Sequence, residues 1–128
     1  IKDRVNALVV EDNLINQRLI QIILKEYNIT VSTATNGNEA ILMCEKNSFD
    51  IIFMDIDMPE KNGIIATKEI KDTVEKNNKT PIVALTALAM QGDREMLLDE
   101  GLDDYLSKPL TREKLERILN KYLKTALV

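Results

Sequence analysis

Ile51-Ile-Phe-Met54 runs directly into Asp55, and the arrangement occurs twice more: Ala7-Leu-Val-Val10 leads into Glu11-Asp12, and Ile82-Val-Ala-Leu85 into Thr86. Apolar runs this short, rich in Val and Ile and separated by longer amphipathic stretches, read as parallel strands buried on both faces of an α/β sheet. Ligands of open α/β sheets bind beyond the carboxyl ends of the strands. If the strands lie side by side, Glu11, Asp12 and Asp55 converge in one pocket. Crowded carboxylates repel one another unless a cation lies between them, and an all-oxygen donor set suits Mg²⁺. The pattern therefore predicts a divalent-metal site, with a phosphate accompanying the metal.

Between these runs the apolar period changes. Asn13 to Tyr27 carries Ile15, Leu19, Ile20, Ile22, Ile23 and Leu24 at helical spacing, more than one narrow stripe requires. Ile29 to Ala34 reads as a second strand ending at the turn dipeptide Asn36-Gly37, and Glu39 to Lys46 as a short helix with Ala40, Ile41, Met43 and Cys44 toward the core. Met58-Pro59 and Asn62-Gly63 mark a loop before a helix through Ile64, Ile65, Thr67 and Ile70, and the polar Glu75 to Lys79 reads as a connector. Pro81 opens the fourth strand, a helix lies within Gln91 to Glu100 with Gly101 as its stop, and Tyr105 to Ser107 is a fifth strand. Thr111 is placed to cap a last helix bearing Leu115, Ile118, Leu119 and Tyr122. Strict alternation of this kind predicts a doubly wound, five-stranded parallel sheet with five helices, formed by residues 1–128 as one domain.

Composition narrows the function. The 128 residues are 45% hydrophobic, with a net charge of −4 and 17 Lys and Arg spread without a basic block. A direct nucleic-acid surface lacks its electrostatic footprint, and no apolar stretch is long enough to give this segment a membrane contact. The single Cys44 suits a reducing compartment, which makes the cytoplasm the expected location while leaving room for a membrane-anchored parent chain. A start at Ile1 rather than Met is expected of a segment cut from a longer polypeptide. The chain has no histidine, so no Ser-His-Asp or Cys-His nucleophile can form, and any phosphohistidine must come from another domain.

Glu11-Asp12-Asn13, Met54-Asp-Ile-Asp57-Met58-Pro59, Leu85-Thr86-Ala87 and Tyr105-Leu-Ser-Lys108-Pro109, in this order at strand ends, resemble the receiver domains of two-component response regulators. Asn13, Asn16 and Ala84-Leu-Thr-Ala-Leu-Ala89 look most like receivers attached to hybrid sensor histidine kinases; a stand-alone regulator is the alternative. The resemblance implies flavodoxin-like topology and Mg²⁺-dependent transfer of a phosphoryl group from a phosphohistidine to Asp55. The donor would be a histidine kinase or a histidine-phosphotransfer domain. The domain would promote its own phosphorylation and dephosphorylation, kinase activity belonging to the parent chain. Asp12 would bind Mg²⁺ directly, Glu11 directly or through water, and Asp57 through its backbone carbonyl, with Mn²⁺ as a substitute. Lys108 and Thr86 would hold phosphoryl oxygens, and a cis peptide at Lys108-Pro109 would aim the lysine inward. Thr86 and Tyr105 would form the switch that changes the surface of the fourth helix, fifth strand and fifth helix.

Each element has a plainer meaning when taken alone. An acidic pair is common in surface turns, and Cys44 reads as a small core residue. Tyr105 is either a moving ring or a packed one. Ile15, Leu19 and Ile22 share a face adjacent to that of Ile20, Ile23, Leu24 and Tyr27, and are either further core or a docking surface for the phosphohistidine partner. Asp55-Ile-Asp57 is also similar to the motif of Asp-nucleophile phosphatases of the haloacid dehalogenase type. Those place it at the first strand, without an upstream acid pair. A flavin-binding protein of the same topology needs a phosphate-accepting first loop, where Glu11-Asp12 would repel.

Overall fold

The computed structural model describes residues 5–58, 62–87 and 93–127. In chain order the elements are β1 (Val5–Val10), α1 (Leu14–Glu26), β2 (Ile29–Ala34), α2 (Gly37–Lys46), β3 (Ile51–Asp55), α3 (Gly63–Thr73), β4 (Ile82–Thr86), α4 (Asp93–Asp99), β5 (Asp104–Ser107) and α5 (Arg112–Leu127). A 3-10 turn, Glu75–Asn77, lies between α3 and β4. All strand pairs are parallel, in the order β2-β1-β3-β4-β5. From β1 the chain steps outward to β2 and then returns past β1 to β3, so the connections after β1 and β3 leave in opposite directions. The crevice between them is where an open α/β sheet offers a ligand site.

The central strands β1, β3 and β4 are nearly continuous apolar runs because helices cover both faces. Ala7, Val9, Phe53, Val83, Leu85 and Leu106 pack with Ile20, Ile23 and Leu24 of α1 and Leu115, Ile118 and Leu119 of α5. Their neighbours Leu8, Val10, Ile52, Met54, Ile82 and Ala84 pack on the other face with Ala40 and Cys44 of α2, Ala66 and Ile70 of α3, and Leu97 of α4. The strand alternation thus splits one sheet's side chains between two cores.

Asparagine starts three of the helices. The Asn13, Asn36 and Asn62 side chains accept from the backbone N–H of Asn16, Glu39 and Ile65, satisfying donors that the first turn leaves without partners. Asn36-Gly37 is accordingly a helix start rather than a free turn, and α2 begins at Gly37, two residues before the expected Glu39. At the far end of α4, Gly101 has φ +104°, and the Gly101 and Leu102 N–H groups donate to Leu98 and Leu97, the glycine-terminated helix end expected from sequence. Pro59 and Gln91 lie outside the described residues.

The stretch from Glu75 to Lys79 is not a mere connector. Asn77 is fully buried; its Oδ1 accepts from Phe49 N at 2.8 Å, and its Nδ2 donates to Cys44 O and Asn47 O, each at 2.7 Å. One amide thereby ties the end of α2 to the entry of β3. Asn77→Ala leaves those buried groups without partners and should lower unfolding free energy by about 2–4 kcal/mol in a denaturant titration, with no change at the opposite end of the sheet.

A candidate metal centre at the strand ends

Asp55 is the last residue of β3 and is 1% exposed; Glu11 follows β1, is fully buried, and donates its N–H to Ala34 O on β2 at 3.0 Å. Asp12, next in the chain, is exposed. The register sets these positions side by side, since Val10 pairs with Met54 and the acidic residues come immediately after. One carboxylate oxygen from each of Glu11, Asp12 and Asp55 lies within 4.8 Å of the other two. The convergence expected from sequence is therefore present.

Lys108 reaches the same point from beyond β5. Its Nζ is 3.3 Å from Asp55 Oδ1 and 3.6 Å from Glu11 Oε2, and its backbone N–H donates to Thr86 O at 2.8 Å, extending the β4–β5 ladder into the site. The Lys108-Pro109 peptide is cis, as the resemblance implied. Thr86 ends β4 and is fully buried. Asp57 N–H donates to Asp55 Oδ1 at 2.9 Å, and Asp57 Oδ2 accepts from Ala87 N–H at 3.4 Å, which links the loops that follow β3 and β4. Tyr105, opposite Ala84 in the register, is half-buried and packs against the core on the α2, α3 and α4 side.

The electrostatics favour a divalent cation. Two unit negative charges about 5 Å apart repel by about 3 kcal/mol at an effective dielectric of about 20. Burial above all, then hydrogen bonding and charge at Asp55, push the Glu11 carboxyl up to about 7, although Lys108 and Asn16 pull the other way. Burial opposes the Lys108 charge, but Asp55 and Glu11 outweigh it and hold the ammonium above its ordinary value. Three carboxylates and one ammonium leave a formal charge of −2. Glu11 Oε2 is buried without a hydrogen-bond partner among the described residues. An oxygen-lined site of charge −2, in which buried Glu11 Oε2 accepts no hydrogen bond from the described residues and has the Lys108 ammonium at 3.6 Å, fits Mg²⁺, with Glu11, Asp12 and Asp55 as the side chains that would hold it.

Sequence reasoning overlooked Gln17. Its side chain is buried on α1, and Nε2 donates to Glu11 O at 3.2 Å and Ala34 O at 3.5 Å, pinning the acidic loop to the helix. The available signal was its place on the stripe of Ile20 and Leu24, a polar residue on a core-facing helix side. The surplus apolar residues of α1 do not reach the core. Ile15 is 80% exposed, Ile22 52% and Leu19 39%, and with Leu14 and Arg18 they line one surface depression.

Residues 7–120 match the response regulator receiver domain family. The chain is 36% identical over 126 residues to hybrid signal transduction histidine kinase F of Dictyostelium discoideum, covering 96% of this chain and 11% of that protein. It is also similar to the receiver domain of sensor histidine kinase PA1611 from Pseudomonas aeruginosa, whose crystal structure has a magnesium ion coordinated in the active-site cleft. The two share 40% identity and a TM-score of 0.85 over 94% of this chain and 98% of that one. The receiver domain of the Saccharomyces cerevisiae response regulator Ssk1, crystallised with the histidine phosphotransfer protein Ypd1, is 33% identical. Its TM-score is 0.88, over 98% of this chain and 92% of the matched one.

Proposed function

This chain belongs to the response regulator receiver domain family of two-component and phosphorelay signalling, and we propose that Asp55 is the residue through which it receives a phosphoryl group. The observation that carries this assignment is convergence: Asp55 ends a central strand with Glu11, Asp12 and Lys108 around its carboxylate. In the step, an Asp55 carboxylate oxygen attacks the phosphorus of a phosphohistidine. A P–O bond forms as the P–N bond breaks, and the imidazole leaves with the electron pair. Mg²⁺, when bound, neutralises the charge between the carboxylate and the incoming phosphoryl oxygens. The Asp57 N–H orients the carboxylate, and Lys108 pairs with one phosphoryl oxygen. The Thr86 hydroxyl takes another. Its movement toward the phosphoryl group, with Tyr105 following on the α4–β5 side, supplies the switch.

The exposed α1 face is the docking surface for a helical histidine-bearing partner. It starts one residue after Asn13, beside Asp12, and the Ssk1 receiver's complex with a histidine phosphotransfer protein supports a partner of that kind. The similarity to hybrid kinases supports a parent chain that is a sensor histidine kinase. A cytoplasmic location accords with the unpaired, buried Cys44, and among the described residues no helix is long and apolar enough to cross a membrane.

Two donors test acceptor and docking surface together. Leu19→Glu puts a charge in the depression at a position exposed enough to tolerate it. Transfer from a phosphorylated histidine-phosphotransfer protein should slow by about tenfold or more, the cost of losing an interface anchor. Labelling by acetyl phosphate, which needs only Asp55 and the metal, should change by less than about twofold. Unimpaired phosphorylation by both donors would place the docking surface elsewhere.

A further inference from the structure

We infer that Gly63 is a positioning residue for Asp55, because its missing side chain lets the first turn of α3 press on the backbone that ends β3. The inference rests on the reading of Asp55 as phosphoacceptor. Gly63 is buried and is the first residue of α3. A Cβ there would lie 2.4 Å from Asp55 O, 2.8 Å from Met54 Cγ and 2.9 Å from Ile56 Cα. Met54 Cγ belongs to a fully buried side chain, and the other two atoms are backbone. Gly63 is thus required for space, in contrast to Gly101, whose φ of +104° makes it conformational.

Neither side of this contact is free to retreat. The Asp55-Ile56 peptide is held in the sheet by Ile56 N–H donating to Leu85 O at 3.2 Å. On the other side α3 is fixed by its Asn62 cap and by Ala66, Thr67 and Ile70, each fully buried. A side chain at position 63 therefore forces a shift either in the Asp55-Ile56 peptide or in the start of α3. The Asp55-Ile56 peptide leads directly into Asp57, whose N–H donates to Asp55 Oδ1 at 2.9 Å. Gly63 acts through that geometry and touches no ligand itself.

Metal selectivity separates positioning from plain stability. Mg²⁺ demands near-octahedral oxygens at about 2.0–2.1 Å, whereas Ca²⁺ accepts irregular shells at about 2.3–2.6 Å. For Gly63→Ala, titrated well below its melting temperature, the Mg²⁺ dissociation constant should rise by about tenfold or more and that of Ca²⁺ by less than about threefold. Ile70→Val, a destabilising change in the same helix away from the site, should leave the ratio of the two constants unchanged. An unaltered ratio in Gly63→Ala overturns the inference while leaving the Asp55 assignment intact. Absence of Mg²⁺ binding by the wild-type chain overturns both. If Gly63→Ala does not fold, the wild-type chain decides. The Gly63 amide resonance should move during a Mg²⁺ titration with the same midpoint as that of Asp57, and a Gly63 signal that stays still while Asp57 moves overturns the inference.

Discussion

Asp55→Asn should abolish phosphorylation by acetyl phosphate, leaving intact mass unchanged under conditions that fully label the wild-type chain. The amide is nearly isosteric, and at a site 1% exposed that preserves packing. Its nitrogen and carbonyl oxygen lack the nucleophilic carboxylate needed for an acyl phosphate, so the effect falls on chemistry rather than on folding. Glu11 and Asp12 are close by, but neither has both the Asp57 N–H and the Lys108 ammonium on its carboxylate, as Asp55 does on Oδ1. A neighbouring carboxylate therefore does not take over, and circular dichroism should show the fold retained.

Asp12→Asn should raise the Mg²⁺ dissociation constant by about 10–100-fold, and Glu11→Gln should raise it less, in a titration followed by amide chemical shifts. Asp12 is exposed, so it can reach the metal at no further cost of burial. Glu11 is buried with its carboxyl pushed up to about 7, so part of its interaction with a cation is spent displacing a proton at neutral pH. The same shift sets a pH dependence. The folded-state value lies above the ordinary one, so Glu11 stabilises the metal-free fold below the usual carboxylate range, and that contribution is lost as pH rises through about 7. Saturating Mg²⁺ should remove this slope, which Glu11→Gln should lack with or without metal.

The three central strands were legible in the sequence because burial on both faces leaves no polar alternation, so β1, β3 and β4 each show as a mainly apolar run leading to a candidate site residue, whereas the edge strands β2 and β5 carry mixed sequences. The site was legible for the same reason: strand ends locate Asp55, Thr86 and the acid pair without any knowledge of side-chain contacts. What escaped were polar residues working inside the structure. Asn36 and Asn62 resemble turn residues in sequence, yet their side chains cap helices. Asn77 and Gln17 look solvent-facing by type, and only three-dimensional neighbours show that each satisfies buried backbone groups. Gly63 was visible as half of a turn dipeptide, but the reason for glycine is the nearby Asp55 carbonyl. The width of the α1 apolar stripe was legible. Which of its edges faces the sheet was not, because helical periodicity sets angles around the helix axis and says nothing of where the sheet lies.

If one carboxylate, Asp55, forms a metal-dependent acyl phosphate, chemical trapping will locate it. Borohydride cleaves an acyl phosphate and reduces the modified aspartate to homoserine, which peptide sequencing locates. After incubation with acetyl phosphate and Mg²⁺, homoserine should appear at position 55 and nowhere else, and chelating the metal should prevent it. Homoserine at position 12 or 57, or at position 55 irrespective of metal, would show that Asp55 is not the metal-dependent acceptor.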